Sequence, residues 1–108
     1  MTFPKNIEAE IYFLTPEEGG RSGPAFDNYR PQFYYNGKDW DASHVYPDVE
    51  QALPGETVRA YIAFLSPKEH FGNVHIGMKF LIREGARTVG RGIIKEIIEL
   101  ERSVKNES

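Results

Sequence analysis

Arg83, Arg87 and Arg91 crowd around glycines in the stretch IREGARTVGRG. A guanidinium is a rigid fork of N–H donors that fits phosphate or carboxylate oxygens. Gly85, Gly90 and Gly92 give the turn its geometry or let a backbone approach closely. The chemistry open to this stretch is therefore anion recognition. The competing reading is a solvated face whose arginines pair with neighbouring acids such as Glu84. Other groups carry weaker signals. His70 and His75 lie five apart across a glycine loop and His44 is distant. With no cysteine and no HExxH pattern, they read as packed or solvated rather than as metal ligands. Asp39, Asp41, Asp48 and Glu50 could be imagined as paired carboxylates, but nothing in the spacing makes them converge. Tyr29, Phe33, Tyr34, Tyr35 and Trp40 could stack on bases. Strand alternation would turn about half of them into core, which is the commoner use. No nucleophile–base pair stands out.

The bulk of the chain limits what these residues can be asked to do. Its 108 residues fit one domain with a single modest core. Hydrophobic residues make up 40% and charged residues 27%, which excludes a disordered chain. No apolar run is long enough for a membrane-spanning helix. The formal charge is -3, so nucleic acid could be held only by a local basic patch and not by bulk attraction. The absence of cysteine rules out disulfides and thiolate metal sites, and the polar start carries no basic-then-apolar leader. The expected location is the cytoplasm.

Ten glycines and seven prolines punctuate many short strands. Residues 1–6 read as a loose lead-in. EAEIYFL (8–14) is the first strand. Thr15 and Glu18 have capping-box spacing around Pro16, which predicts a single helical turn ended by Gly19 and Gly20. A second strand follows Pro31, and Asn36-Gly37 is a hairpin signal. Residues 42–46 form a weak strand, and Pro54-Gly55 suits a type II turn. Over 57–65 the apolar residues Val58, Ala60, Ile62 and Phe64 share one face. Residues 75–84 make the next strand. Gly85-Ala86 fits a type II′ turn, with the return strand from Arg87. The last segment is ambiguous. Ile93, Ile94, Ile97, Ile98, Leu100 and Val104 have a helical period, whereas Gly90 and Gly92 suit a bulged strand. Period alone favours helix.

Four motifs in order, EEGGRSGP, YRPQFYY, LPGETVRA and FLIREGARTVGRGII, closely resemble the C-terminal β-barrel, or third domain, of bacterial elongation factor Tu. That family typically reads EGGR, YRPQFY, MPGD and IREGGRTVGAG at nearly these spacings. The resemblance covers roughly residues 7 to 98, and four ordered motifs are far more specific than one. It implies an all-β fold, a closed antiparallel barrel of about six strands. It also implies that 87–98 is strand rather than helix, and that a strand runs through the Asn36-Gly37 position. The expected domain is 1–108, with its core at 7–98 and a frayed or helical tail at 99–108. It is expected to be the third domain alone, free-standing or excised.

The sequence contains no GxxxxGK[ST] phosphate loop, so no GTPase activity, no enzyme role and no cofactor are expected. The resemblance places Arg21, Gln32, Arg83, Glu84 and Gly85 where the family grips the T-stem of aminoacyl-tRNA, with Arg87 beside them. It places Gly19 and Leu81 on the face that meets the GTPase domain. Two positions depart from the pattern: Ser22 stands where histidine is common, and Asp41 stands where a groove-facing threonine is expected. The expected function is a non-enzymatic translation module that binds tRNA or another structured RNA, or docks to the elongation machinery. The alternative is a protein-interaction module for a nucleotide-exchange factor or GTPase domain, without RNA contact. No metal and no membrane partner are expected.

Overall fold

Among the described residues the chain forms eight strands, one α-helix and two short 3-10 turns, Pro16–Glu18 and Pro67–Glu69. The strands and the helix are β1 (Ile7–Phe13), β2 (Ala25–Phe26), β3 (Gln32–Tyr35), β4 (Lys38–Val45), β5 (Gln51–Ala52), β6 (Thr57–Phe64), β7 (Lys79–Glu84), β8 (Arg87–Ile97) and α1 (Leu100–Glu107). The computed structural model describes residues 3–107. Met1 and Thr2, the start of the expected lead-in, and Ser108, the end of the expected tail, lie outside them. Six strands close into an antiparallel barrel in the order β1-β6-β4-β3-β7-β8, and β8 pairs back onto β1. Closure leaves no unpaired sheet edge in the ring. β2 and β5 form a separate two-stranded ribbon.

Alternation decides what lies inside. Val58, Ala60, Ile62 and Phe64 are buried as their spacing requires, while Arg59 is exposed. The same rule sorts the aromatic group. Phe33 and Tyr35 point inward, Trp40 and Tyr29 pack against the core, and Tyr34 lies outside. Phe33 stacks on Phe80 with ring centroids 4.2 Å apart and meets Phe64 edge-on at 4.9 Å. The Phe80 ring lies over Gly92, where an added Cβ would sit 2.3 Å from its tip. Gly90 faces inward too, and its Cβ would be 3.1 Å from the Tyr12 carbonyl. Close approach is therefore the reason for both glycines.

The two tight turns match the local residue reading. Asn36 and Gly37 have φ of 50° and 77°, and they join β3 to β4 with Tyr35 opposite Lys38. Two left-handed residues make the type I′ twist that a two-residue hairpin needs. The family-derived expectation of a strand running through this position is overturned, and β4 begins at once at Lys38 instead of at 42. Gly85, at φ 62°, makes the β7–β8 turn. The helical reading of the last segment is also corrected. β8 runs to Ile97, because it must close the ring against β7 and β1 and because two glycines disfavour helix. The apparent period mixed strand residues with a true helix: the last two of the series, the buried Leu100 and then Val104, belong to α1.

Asn6 belongs to the core rather than to a loose lead-in. It is fully buried, its Nδ2 donates to Ser103 Oγ at 2.7 Å, and its Oδ1 accepts from the Phe64 amide at 2.8 Å. Its backbone carbonyl accepts from the Ile98 amide. One side chain thus ties α1 to the barrel. Two histidines are buried as well. His44 Nδ1 lies 2.9 Å from the Tyr46 hydroxyl, and His70 Nδ1 lies 2.8 Å from that of Tyr35. Burial pulls the His44 imidazole down to about 3 and His70 to about 4.

Gly92→Ala is expected to cost about 1–3 kcal/mol, since Phe80 is stacked on Phe33 and cannot swing away cheaply. Phe80→Leu in that background should cost less than it does alone. Urea unfolding checks both, and strictly additive losses would contradict the packing account. A second expectation concerns pH. Below about 6.5 the unfolded chain protonates both imidazoles while the fold keeps them neutral, so stability falls with falling pH. Between pH 6 and pH 5 the loss should be about 2 kcal/mol for the pair. A flat stability profile across that unit would refute it.

Candidate functional site

The outward residues of four neighbouring strands form two rows. Asp41, Gln32, Arg83 and Thr88 stand side by side across β4, β3, β7 and β8. Asp39, Tyr34, Leu81, Arg91 and Tyr12 form the next row, reaching β1. A loop borders the rows at the β1 end. Thr15 and Glu18 make the expected capping box, and Gly19 leaves the turn at φ 95°. Gly20 has no room for a side chain, since a Cβ would lie 2.2 Å from the Leu14 carbonyl oxygen. The first glycine is thus required by its left-handed backbone and the second by packing, and together they deliver Arg21. The Tyr12 hydroxyl donates to Glu18 Oε1 at 2.7 Å, which holds the Gly19 loop beside the row that contains Leu81.

Arg21, Glu84 and Arg87 do come together. Arg21 donates through Nη1 to Glu84 Oε2 at 2.5 Å and through Nη2 to the Pro24 carbonyl at 3.0 Å. Its guanidinium lies over the Tyr29 ring, 4.6 Å from the centroid. The Tyr29 hydroxyl donates to the same Glu84 oxygen, and Arg87 Nη2 reaches the other at 3.4 Å. Burial works to raise the Glu84 carboxyl, but the hydrogen bonds from Tyr29 and Arg21 outweigh it and hold the group below its usual range. Burial and the same carboxylate push the Tyr29 phenol up.

Of the other proposed contacts, Arg83 and Gln32 have partners within the chain. Arg83 is held between the Tyr34 ring, 4.5 Å from its centroid, and Asp39, at 3.7 Å. Gln32 Nε2 donates to Asp41 Oδ1 at 2.6 Å. Gly85 makes the turn with open space around it, and Ser22 is exposed. The acids imagined as a carboxylate cluster are dispersed. Asp39 faces Arg83, Asp41 takes Gln32, and Asp48 takes a forked pair of bonds from Arg59. Among the described residues no His, Cys, Asp and Glu side chains are grouped to hold a metal, and no helix is long and apolar enough to cross a membrane.

Tyr29 and Asp39 have roles that sequence reasoning missed, and Arg91, singled out there, has a setting that the sequence could not show. Tyr29 serves as the hydrogen-bond donor that fixes Glu84, not as a base stacker. Asp39 pairs with an arginine far along the chain, which only strand register could disclose. Arg91 stands over the Tyr12 ring, 4.7 Å from its centroid, with no ion pair to a described residue. It occupies the alanine position of the RTVGAG pattern, a departure that the sequence already displayed. Beside it opens a groove of about 570 Å3 bounded by Tyr34, Leu81, Gly92 and Ile93.

The closed barrel, the capped double-glycine loop and the tight β7–β8 turn agree with one comparison. The family model described as the elongation factor Tu C-terminal domain matches residues 1–98. This chain therefore belongs to the elongation factor Tu C-terminal-domain family.

Proposed function

We propose that this chain is a non-enzymatic, cytoplasmic module of elongation-factor type that docks onto a protein of the elongation machinery, a GTPase domain or a nucleotide-exchange factor. The observation that carries this reading is internal neutralisation. Arg21 and Arg87 share the Glu84 carboxylate, Arg83 lies 3.7 Å from Asp39, and Asp41, bonded to Gln32, adds a further negative charge to the same face. The phosphate backbone dominates RNA affinity, and arginines that already face carboxylates gain little from it. To grip a phosphate, Arg21 would have to leave a carboxylate that also holds Tyr29. A protein surface needs no such exchange. Protein interfaces favour aromatic and arginine side chains over apolar ground, as in the row of Tyr34, Leu81, Arg91 and Tyr12.

The discriminating experiment is a titration of a labelled T-stem hairpin at several salt concentrations, beside calorimetry with a purified elongation-factor GTPase domain and exchange factor. The hairpin is expected to bind more weakly than the roughly 10⁻⁴–10⁻⁶ M scale of non-specific phosphate binders. Replacing Asp39 and Asp41 by asparagine should strengthen hairpin binding and steepen its salt dependence, since it frees Arg83 and removes two repulsive charges. One of the two proteins should bind saturably. Salt-dependent hairpin binding by the unaltered chain, lost in Arg21→Ala, would overturn the docking reading in favour of tRNA or another structured RNA.

A further inference from the structure

Of the arginines crowded around the β7–β8 turn, two are already engaged by carboxylates, Arg83 by Asp39 and Arg87 by Glu84. Arg91 is not. It stands over the Tyr12 ring, 4.7 Å from the centroid, and the Glu18 carboxylate bound by the Tyr12 hydroxyl acts on it through space without forming an ion pair. The two glycines beside it turn inward, and Arg91 is exposed on the outer wall. The groove next to it is mainly apolar: Leu81 and Ile93 line it, with Tyr34 and Tyr12 on the strands to either side. Lys79 and Glu10 border the groove on either side of Ile93 and offset each other, so Arg91, beside the Tyr12–Glu18 pair, is the cation that the groove presents.

We infer that this groove receives an extended, apolar segment of a partner protein whose side-chain carboxylate pairs with Arg91. The inference rests on the docking reading and names the partner's chemistry. Size and charge both select this occupant. Tyr34 and Tyr12 stand on strands separated by β7 and β8, so the row spans about 14 Å at the usual strand spacing. About four extended residues cover that length. A carboxylate can take two parallel bonds from the guanidinium edge while its apolar neighbours cover Leu81 and Ile93. Arg91 is preorganised by Tyr12, so little freedom is lost on binding.

The test uses capped tetrapeptides of sequence Leu-Glu-Phe-Leu and Leu-Gln-Phe-Leu, titrated into the 15N-labelled full chain. The glutamate peptide should shift the amides of Leu81, Arg91 and Ile93, and the glutamine peptide should bind about tenfold more weakly, as the loss of one charge-assisted contact requires. Arg91→Ala should erase that preference without disturbing other amides, since Arg91 is exposed. Arg83→Ala should leave it intact. Equal binding of the two peptides, shifts outside the groove, or no shifts at millimolar peptide would overturn the inference. If the GTPase domain or exchange factor still bound, only the groove assignment would fall. If the T-stem hairpin bound instead, the docking reading itself would fall.

Discussion

The closure of the barrel through β8 is the constraint on which the rest depends. β8 pairs with β7 on one side and β1 on the other, and it can do so only because Gly90 and Gly92 leave room inside. Phe80 fills the space over Gly92 and stacks on Phe33, so the ring of strands and the aromatic core are one object. A strand fixed in this way has no freedom in its outward residues. Arg91 must stand between Leu81 and Tyr12, and Arg83 must stand beside Gln32. The chemistry of the outer wall is thus a consequence of what fits in the core.

On that wall, electrostatics decides which arginines are available. Exposed ion pairs contribute little stability, and these should not be counted as what holds the fold. Their effect is on binding. A carboxylate that shares hydrogen bonds with Arg21, Tyr29 and Arg87 occupies donors that an incoming phosphate would need. Asp41 does the same to Gln32. The face holds Arg21, Gln32, Arg83 and Arg87 in contacts within the chain. One arginine outside the family's pattern is left for an external partner.

Much of this was legible in the residues. The Thr15–Glu18 capping box, the Asn36-Gly37 turn and the alternation of β6 are local, and local stereochemistry determined each of them. The motif order carried the barrel and corrected the helical reading of β8, yet it misled at Asn36-Gly37, where the local signal was right. Asn6 was illegible because its partners, Ser103 and the Phe64 amide, are distant in sequence. The pairing of Arg83 with Asp39 was hidden for the same reason: register across β4, β3 and β7 is a tertiary fact. A resemblance can mark the position of a site residue, but only the structure shows what already holds it.

The central claim is that Arg21 is occupied within the chain and Arg91 is not. Side-chain 15N NMR of the arginine guanidinium groups tests it directly, because a bound group rotates slowly about its Cζ–N bonds and a free one averages. Resolved Nη protons are expected for Arg21, which donates to both Glu84 and Pro24, and averaged ones for Arg91. An Arg21 that averages as freely as Arg91 would contradict internal neutralisation of the face, and with it the case for docking over RNA.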